Sequence, residues 1–152
     1  MKDAIFKGSA VAIVTPMDSH GNLDFKAMEK LLKFQLENGT DAIVVNGTTG
    51  ESATLEEKEK LELIEFVVHY VNHRVPVIMG TGSNCTSHAV RLSRKAQSLG
   101  ASALLQVTPY YIKPPSMGWW SILRRWQTAW RSPSYFIMSR PVPGLILIRK
   151  PI

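Results

Sequence analysis

Short apolar runs alternate with amphipathic segments along most of the chain. Runs of this kind are typical of strands covered on both faces, as in a parallel sheet. The four runs are Ala10 to Val14, Ala42 to Val45, Val75 to Met79 and Ala103 to Val107. The pattern therefore predicts four parallel strands.

The segments that follow the first three runs repeat apolar residues at the spacing of one helix face. Asp24, the pair Thr54 and Glu57, and Thr86 are expected to cap these helices, and Gly39 to end the first. The predicted inward-facing residues are Met28, Leu31, Leu32 and Leu36 in the first helix, Leu61, Ile64, Val68 and Val71 in the second, and Ala89, Leu92, Ala96 and Leu99 in the third.

Alternation of buried strands with amphipathic helices predicts an α/β fold with right-handed crossovers. Four such units form half of an eightfold barrel or a small open sheet, and the pattern alone leaves both open.

Polar and glycine-rich turns follow the second, third and fourth strands. They are Gly47-Thr48-Thr49-Gly50, Gly80-Thr81-Gly82-Ser83-Asn84 and Thr108-Pro109-Tyr110-Tyr111. Turns that follow parallel strands share one rim, where α/β barrels carry their sites. Backbone N–H groups and short hydroxyls suit a small anion such as a carboxylate or phosphate. The alternative is a set of tight turns without a ligand.

Composition excludes several classes of protein. No apolar run reaches the roughly 18 residues of a membrane span, and the N-terminus lacks the apolar region of a signal peptide, so a cytoplasmic protein is expected. Cys85 is the single cysteine and is interpreted as a small buried filler rather than a nucleophile. The histidines His20, His69, His73 and His88 show no metal-ligand spacing, so neither a metal nor a cofactor is expected.

The net charge of +6 comes entirely from the last 38 positions. Residues 1–114 hold equal numbers of basic and acidic residues, 12 of each, whereas residues 115–152 hold six basic residues and no acid. All four tryptophans also lie in this tail, between Trp119 and Trp130. Interleaved Trp and Arg are found in nucleic-acid and membrane-surface patches, but we expect neither partner, for the reason given below.

Four motifs follow one another along the chain. The first is Gly8-Ser9-Ala10-Val11-Ala12-Ile13-Val14-Thr15-Pro16-Met17, and the other three are the turns after the second, third and fourth strands, the first of which continues into Glu51-Ser52-Ala53-Thr54. In this combination residues 1–114 resemble the N-terminal half of the 4-hydroxy-tetrahydrodipicolinate synthase (dihydrodipicolinate synthase) family. The resemblance implies about four units of a (β/α)8 TIM barrel. It also implies a lyase that condenses pyruvate with L-aspartate 4-semialdehyde, through a Schiff base, in lysine (diaminopimelate) biosynthesis. The related sialate lyases share the barrel, so another pyruvate-dependent aldolase of this superfamily is the alternative.

The resemblance also implies roles for single residues. Thr49 would hold the pyruvate carboxylate, with Thr48 as the second substrate-binding residue. Thr48 and Tyr111 would belong to a proton relay, since hydroxyls both donate and accept. Tyr111 would reach across a tight dimer, and the full-length family forms dimers or tetramers. From the residues alone, Tyr110 and Tyr111 would be an aromatic pair packing the rim.

Lysine-sensitive members carry histidines and a glutamate at positions that hold Glu57, Lys60 and His88 here. A lysine ε-ammonium would meet Lys60 and would lack a carboxylate at His88. The resemblance therefore argues against feedback inhibition by lysine.

The resemblance stops at Pro114. The family's Tyr-Asn-Val-Pro-x-Arg-Thr segment and its Schiff-base lysine are both missing from residues 115–152. A stop-free DNA sequence can nevertheless encode Met117 to Ile152 and spell IPIIF followed by YNVPSRTG in another frame. We therefore interpret residues 115–152 as an irregular, out-of-frame tail without a selected function. The chain would then be inactive alone, as a truncated product or at most a module that binds pyruvate.

Sequencing the gene tests the out-of-frame tail. Restoring one base near the Pro114 codon should open a frame of roughly 140 further residues, by the usual size of such barrels. That frame should spell YNVPSRTG and then encode a lysine on a later strand. A frame that lacks the motif would contradict the interpretation.

Overall fold

A computed structural model of the chain describes residues 5–107, 109–111, 118, 121–122 and 124–125, and the backbone of residues 135–139 and 145–149. Helices and strands alternate through its first part. The elements with described bounds are β1 Ala10–Ala12, α1 Phe25–Glu37, β2 Ala42–Val45, α2 Glu57–Val71, β3 Val77–Gly80, α3 Thr86–Ser98, β4 Ala103–Val107, β5 Tyr135–Ser139 and β6 Leu145–Arg149.

The strands form one sheet in chain order, from β1 to β6. Neighbours from β1 to β5 are parallel, with Ile43 opposite Val77 and Met79 opposite Leu104. This confirms the predicted parallel βα units, and β2 and β4 have the predicted bounds. β3 begins two residues later than predicted, because Pro76 has no N–H and cannot donate a hydrogen bond to a neighbouring strand. Its carbonyl still accepts a hydrogen bond from the N–H of Ile43 at 3.0 Å.

The prediction for β1 was wrong in length and burial. The strand ends at Ala12, its side chains are half-buried or exposed, and Val14 is 49% exposed. Among the described strands β1 pairs only with β2, so it is an edge strand without cover on both faces. Ile13 alone in this stretch is buried, and its N–H donates to the carbonyl of Val44 at 3.0 Å.

The predicted cap of α1 is confirmed. The carboxylate of Asp24 accepts from the N–H of Ala27 at 2.9 Å, and Asn38 closes the helix before Gly39, whose φ is +77°. A glycine tolerates this left-handed conformation because it has no Cβ.

Two other predicted caps were wrong. The capping box of α2 joins Glu56 and Glu59, because the hydroxyl of Thr54 donates instead to the carbonyl of Glu51 at 2.9 Å. α3 begins at Thr86, and the N-cap position is taken by Cys85, whose side chain makes no cap bond.

The helices pack against one face of the sheet, and seven of the predicted inward residues are buried there. These are Met28, Leu32, Ile64, Val71, Ala89, Leu92 and Ala96. The other five predicted residues pack at the border of the core, whereas Leu63 and Val67 are fully buried although they were not predicted. α2 lies between α1 and α3 on the sheet, so it buries a wider stripe than one helix face.

The opposite face of the sheet has a smaller core. Ala42, Ile78 and Ala103 are fully buried there, and Ile5 and Phe6 pack over them. None of the helices in the described part of the chain combines the length and apolar character needed to cross a bilayer.

Two interpretations from composition need correction. Cys85 is partly exposed and its Sγ lies 3.1 Å from the Oγ of Ser87, so it is not a buried filler. The tail is not irregular at β5 and β6, whose sequences YFIMS and LILIR are rich in the aromatic and β-branched residues that favour strands. The remainder of the tail lies outside the described residues.

The ends of β2, β3 and β4 approach one another backbone to backbone. A Cβ on Gly80 would overlap the carbonyl of Asn46, with its carbon at 2.7 Å, and a Cβ on Gly82 would lie 2.5 Å from the N of Val107. Only glycine fits such contacts. The two glycines therefore set how closely the three strand ends meet.

Replacement of Gly80 by Ala should lower the free energy of unfolding by about 3 kcal/mol, since backbone atoms cannot move aside as a side chain can. Chemical denaturation measures the change. Gly47→Ala is the matched control, because its Cβ would meet only Val44 and Leu105 side chains at 3.8 and 3.9 Å. An equal loss in both variants would show that close approach at Gly80 is not limiting.

Candidate active site

The turn after β2 is a compact, hydrogen-bonded loop. The N–H of Gly50 donates to the carbonyl of Gly47 at 3.1 Å, and the N–H of Glu51 to that of Thr48 at 3.0 Å. The buried hydroxyl of Thr15 donates to the carbonyl of Gly50 at 2.7 Å and ties the turn to the segment after β1. Sequence reasoning did not single out Thr15, although it follows a predicted strand on the same rim.

A cleft of about 770 Å³ lies over the strand ends. Its inner part is lined by Thr48 of the turn, by Leu105 and Val107 of β4, and by Tyr110. Its outer part is lined by residues of α2 and α3. The cleft therefore joins the rim of the sheet to the groove between two helices.

The structure confirms that Thr48, Thr49, Asn84, Tyr110 and Tyr111 lie on the carboxyl side of the parallel strands, since they follow β2, β3 and β4. Only Thr48 and Tyr110 of this set line the cleft. Thr49 and Asn84 are exposed beside it. Thr108, named in the same motif, lies outside the described residues.

Tyr111 has an unusual environment. It is 99% exposed and its φ is +64°, a left-handed conformation that costs an aromatic residue free energy. Its ring lies 6.2 Å from that of Tyr110 in an edge-on arrangement. The aromatic-pair interpretation is thus correct for the contact, but the ring of Tyr111 does not pack against the rim.

Asn46, the last residue before the turn, also has a left-handed conformation, with φ +61°. It is 2% exposed, and neither Nδ2 nor Oδ1 of its carboxamide has a hydrogen-bond partner among the described residues. The residue lines the cleft. Sequence reasoning missed it, and the only available indication was an Asn-Gly pair at a strand end.

The outer wall of the cleft is held by an ion cluster between α2 and α3. The carboxylate of Glu57 accepts from Nε of Arg91 at 3.2 Å and from Nζ of Lys95 at 2.9 Å. Hydrogen bonds from Arg91 and then Lys95 lower the pKa of Glu57 to about 2. Lys60 lines the same wall, and partial burial lowers the pKa of its ammonium group.

Beneath the cleft lies a fully buried polar cluster of Thr81, Ser93 and Gln106. The hydroxyls of Thr81 and Ser93 are 3.0 Å apart, and Nε2 of Gln106 donates to the Oγ of Ser93 at 3.0 Å. These bonds join the end of β3, α3 and β4, so they fix the floor on which the cleft rests.

Within the described part of the chain, no group of three or more His, Cys, Asp and Glu side chains is arranged to hold a metal ion. The cleft instead offers a hydroxyl, a carboxamide, a phenol and charges of both signs. Such a set can bind a small carboxylate or a zwitterion and can pass a proton between hydroxyls.

Known proteins share the sequence and the fold of this chain. A model of the dihydrodipicolinate synthetase family matches residues 5–124. The 4-hydroxy-tetrahydrodipicolinate synthase of Pseudomonas putida is 59% identical over 111 residues, which are 73% of this chain and 38% of that protein. The chain thus spans well under half the length of the curated relatives that it matches.

Solved structures agree with this fold. The chloride-inhibited dihydrodipicolinate synthase of Acinetobacter baumannii, complexed with pyruvate, has a TM-score of 0.84 and 43% identity over 89% of this chain and 45% of that chain. The Cyanidioschyzon merolae enzyme with lysine bound has a TM-score of 0.81 and 39% identity, covering 91% and 46%. Together with the parallel βα units, these matches show about half of a TIM barrel.

The ion cluster predicts a pH dependence of stability. Because the pKa of Glu57 is lowered in the folded chain, its contribution is complete above its ordinary value near 4.5 and is lost as the pH falls towards 2. Glu57→Gln should therefore lower the free energy of unfolding at pH 7 by about 1 kcal/mol, allowing for solvent screening. Below pH 2 the two proteins should be equally stable.

Denaturation of both proteins across this pH range measures the effect. Glu62→Gln is the matched control, because the one ion pair of Glu62 among the described residues is with the exposed Lys58, at 3.6 Å on the same helix. A difference between wild type and Glu57→Gln that persists unchanged at pH 2 would rule out the ion cluster as its source.

Proposed function

Because the chain belongs to the dihydrodipicolinate synthetase family, we propose that it carries the pyruvate-binding half of a 4-hydroxy-tetrahydrodipicolinate synthase. The complete reaction condenses pyruvate with L-aspartate 4-semialdehyde through a Schiff base. This chain supplies the carboxylate-binding turn and part of the proton relay. The relatives described above carry the synthase name, which favours this activity over that of a sialate lyase.

The observation that carries the proposal is the position of Thr48. Thr48 is exposed and lines the cleft at the carboxyl end of β2, directly after the buried Gly47. The hydroxyl donates to a pyruvate oxygen and also accepts, as a relay member must. Thr49 is exposed at the next position and presents a hydroxyl and a backbone N–H to the carboxylate.

Tyr111 completes the relay in a second copy of the chain. Its near-complete exposure and left-handed backbone support a role in which the phenol projects away from its own cleft and into that of a partner. The assembly is then a homodimer or a tetramer, and the substrates are small molecules rather than nucleic acid or membrane.

The chain lacks the lysine that forms the Schiff base. None of the six described strands contains a lysine, and Lys60 of the cleft is on α2. Condensation requires an amine beside the bound pyruvate, because the Schiff base is what acidifies its methyl group. The isolated chain is therefore inactive, with residues 1–114 as the partial barrel and residues 115–152 as the out-of-frame tail.

Feedback control by lysine does not suit this cleft. Glu57 is already engaged by Arg91 and Lys95, and the ammonium of Lys60 lines the same wall. A second ammonium would be repelled there and would find His88 rather than a carboxylate.

Treatment with pyruvate and borohydride should leave no mass adduct on this chain, since none of the described strands carries a lysine to trap. Mass spectrometry of the intact protein measures this, with the Pseudomonas putida enzyme as the positive control. Protein expressed from the restored frame should gain one adduct. A stoichiometric adduct on the chain as it stands would contradict the proposal.

A further inference from the structure

A second concavity, which we call the basic pocket, lies along α3 and has a volume of about 610 Å³. The polar residues of the described chain that line it are either basic or carry a hydroxyl: Arg91, Arg94, Lys95, Arg125, Thr86 and Ser87. No acidic residue belongs to this lining among the described residues. A volume of this size is within the range of small-molecule sites.

The charge of the basic pocket comes mainly from one helix. Of the three helices with described bounds, α1 and α2 mix acidic and basic residues, whereas α3 holds Arg91, Arg94 and Lys95 and no acid. Residues three and four positions apart are neighbours on a helix surface, and like charges at that spacing repel one another. A bound anion would relieve this repulsion.

Glu57 neutralises only part of this charge. Its carboxylate accepts from Nε of Arg91 at 3.2 Å and from Nζ of Lys95 at 2.9 Å. Three cations of α3 against one carboxylate leave two positive charges in excess, before Arg125 is counted. The side chains of Arg91 and Lys95 are still 48% and 47% exposed, so a second anion can reach them.

The donors of the basic pocket suit a phosphoryl group. The planar guanidinium of an arginine matches the oxygens of a phosphate with two parallel hydrogen bonds, and Arg91 and Arg94 both line the pocket. The hydroxyls of Thr86 and Ser87 can donate to further oxygens. An excess of two positive charges favours an anion with at least two negative charges, which a monocarboxylate such as pyruvate does not carry.

We propose that the basic pocket binds the phosphoryl group of a small anion with two or more negative charges, such as a phosphate monoester or a diphosphate. This site is distinct from the cleft, because Arg91 is the one described residue that lines both. The anion competes with Glu57 for Arg91 and Lys95. The residues of α3 carry the assignment, and Arg125 adds a fourth cation.

Inorganic pyrophosphate is the probe, titrated by calorimetry into the full chain in about 0.15 M sodium chloride, which screens weak surface attraction. Arg94→Gln removes one cation that does not bond Glu57. Lys30→Gln is the matched control, because it removes the same charge from an exposed position of α1, on the far side of α2. Melting curves of both variants verify that they fold.

Pyrophosphate affinity should fall about tenfold in Arg94→Gln and stay within about twofold in Lys30→Gln. Arg94→Lys keeps the charge but loses the planar fork, so its affinity should lie between those of wild type and Arg94→Gln. Pyruvate affinity should be the same in Arg94→Gln and wild type. An equal loss of pyrophosphate binding in Arg94→Gln and Lys30→Gln would overturn the assignment, because it would show general attraction to a charged surface.

Competition with Glu57 gives a test of opposite sign. Glu57→Gln frees Arg91 and Lys95, so it should raise pyrophosphate affinity about fivefold. Glu62→Gln makes the same charge change on α2 but lies outside the lining, and it should change the affinity by less than about twofold. A similar rise in both variants would contradict a direct competition.

Two further results decide between ligands and separate this proposal from the proposed function. A single-stranded oligonucleotide that binds more tightly than pyrophosphate, with a steep loss of affinity in salt, would overturn the assignment to a small anion. Wild-type protein that binds pyruvate but not pyrophosphate would overturn it and leave the proposed function intact. Binding of pyrophosphate without pyruvate would support the basic pocket and contradict the pyruvate-binding role of the cleft.

Discussion

The contact between Gly80 and the carbonyl of Asn46 is the constraint on which the cleft depends. It brings the ends of β2 and β3 closer than any side chain allows, and Gly82 does the same for β3 and β4 against Val107. Three strand ends are thus fixed relative to one another by backbone atoms, which cannot rearrange without breaking the sheet. Thr48, Asn46 and Tyr110 meet around one cleft because the strands that carry them meet here.

Polar contacts hold the surroundings of that cleft in place. The buried cluster of Thr81, Ser93 and Gln106 joins two strands to α3, and Glu57 joins α2 to α3 through Arg91 and Lys95. The two groups differ in exposure, so their contributions to stability depend differently on salt and pH. The buried cluster contributes independently of salt, whereas the exposed ion cluster weakens with salt and acid.

Local patterns predicted the elements well but their edges less well. The apolar runs predicted the first and last residues of β2 and β4 correctly. Asp24 was identified as a cap because its carboxylate accepts from the N–H of Ala27, only three residues further along the chain. Thr54 failed as a cap because its hydroxyl had a closer partner in the preceding turn. β1 failed as a doubly buried strand because its burial depends on neighbours that sequence spacing does not reveal.

The sequence by itself determined the family, the parallel half barrel and the rim on which Thr48, Thr49 and Tyr111 lie. These follow from strand order and from motifs that act locally. Only the tertiary structure decided that Thr48 lines the cleft whereas Thr49 does not, and that Tyr111 is fully exposed. It also decided that the carboxamide of Asn46 is buried without a hydrogen-bond partner among the described residues. Such properties arise from contacts between residues 30 or more positions apart, as between Asn46 and Gly80, and no local pattern records them.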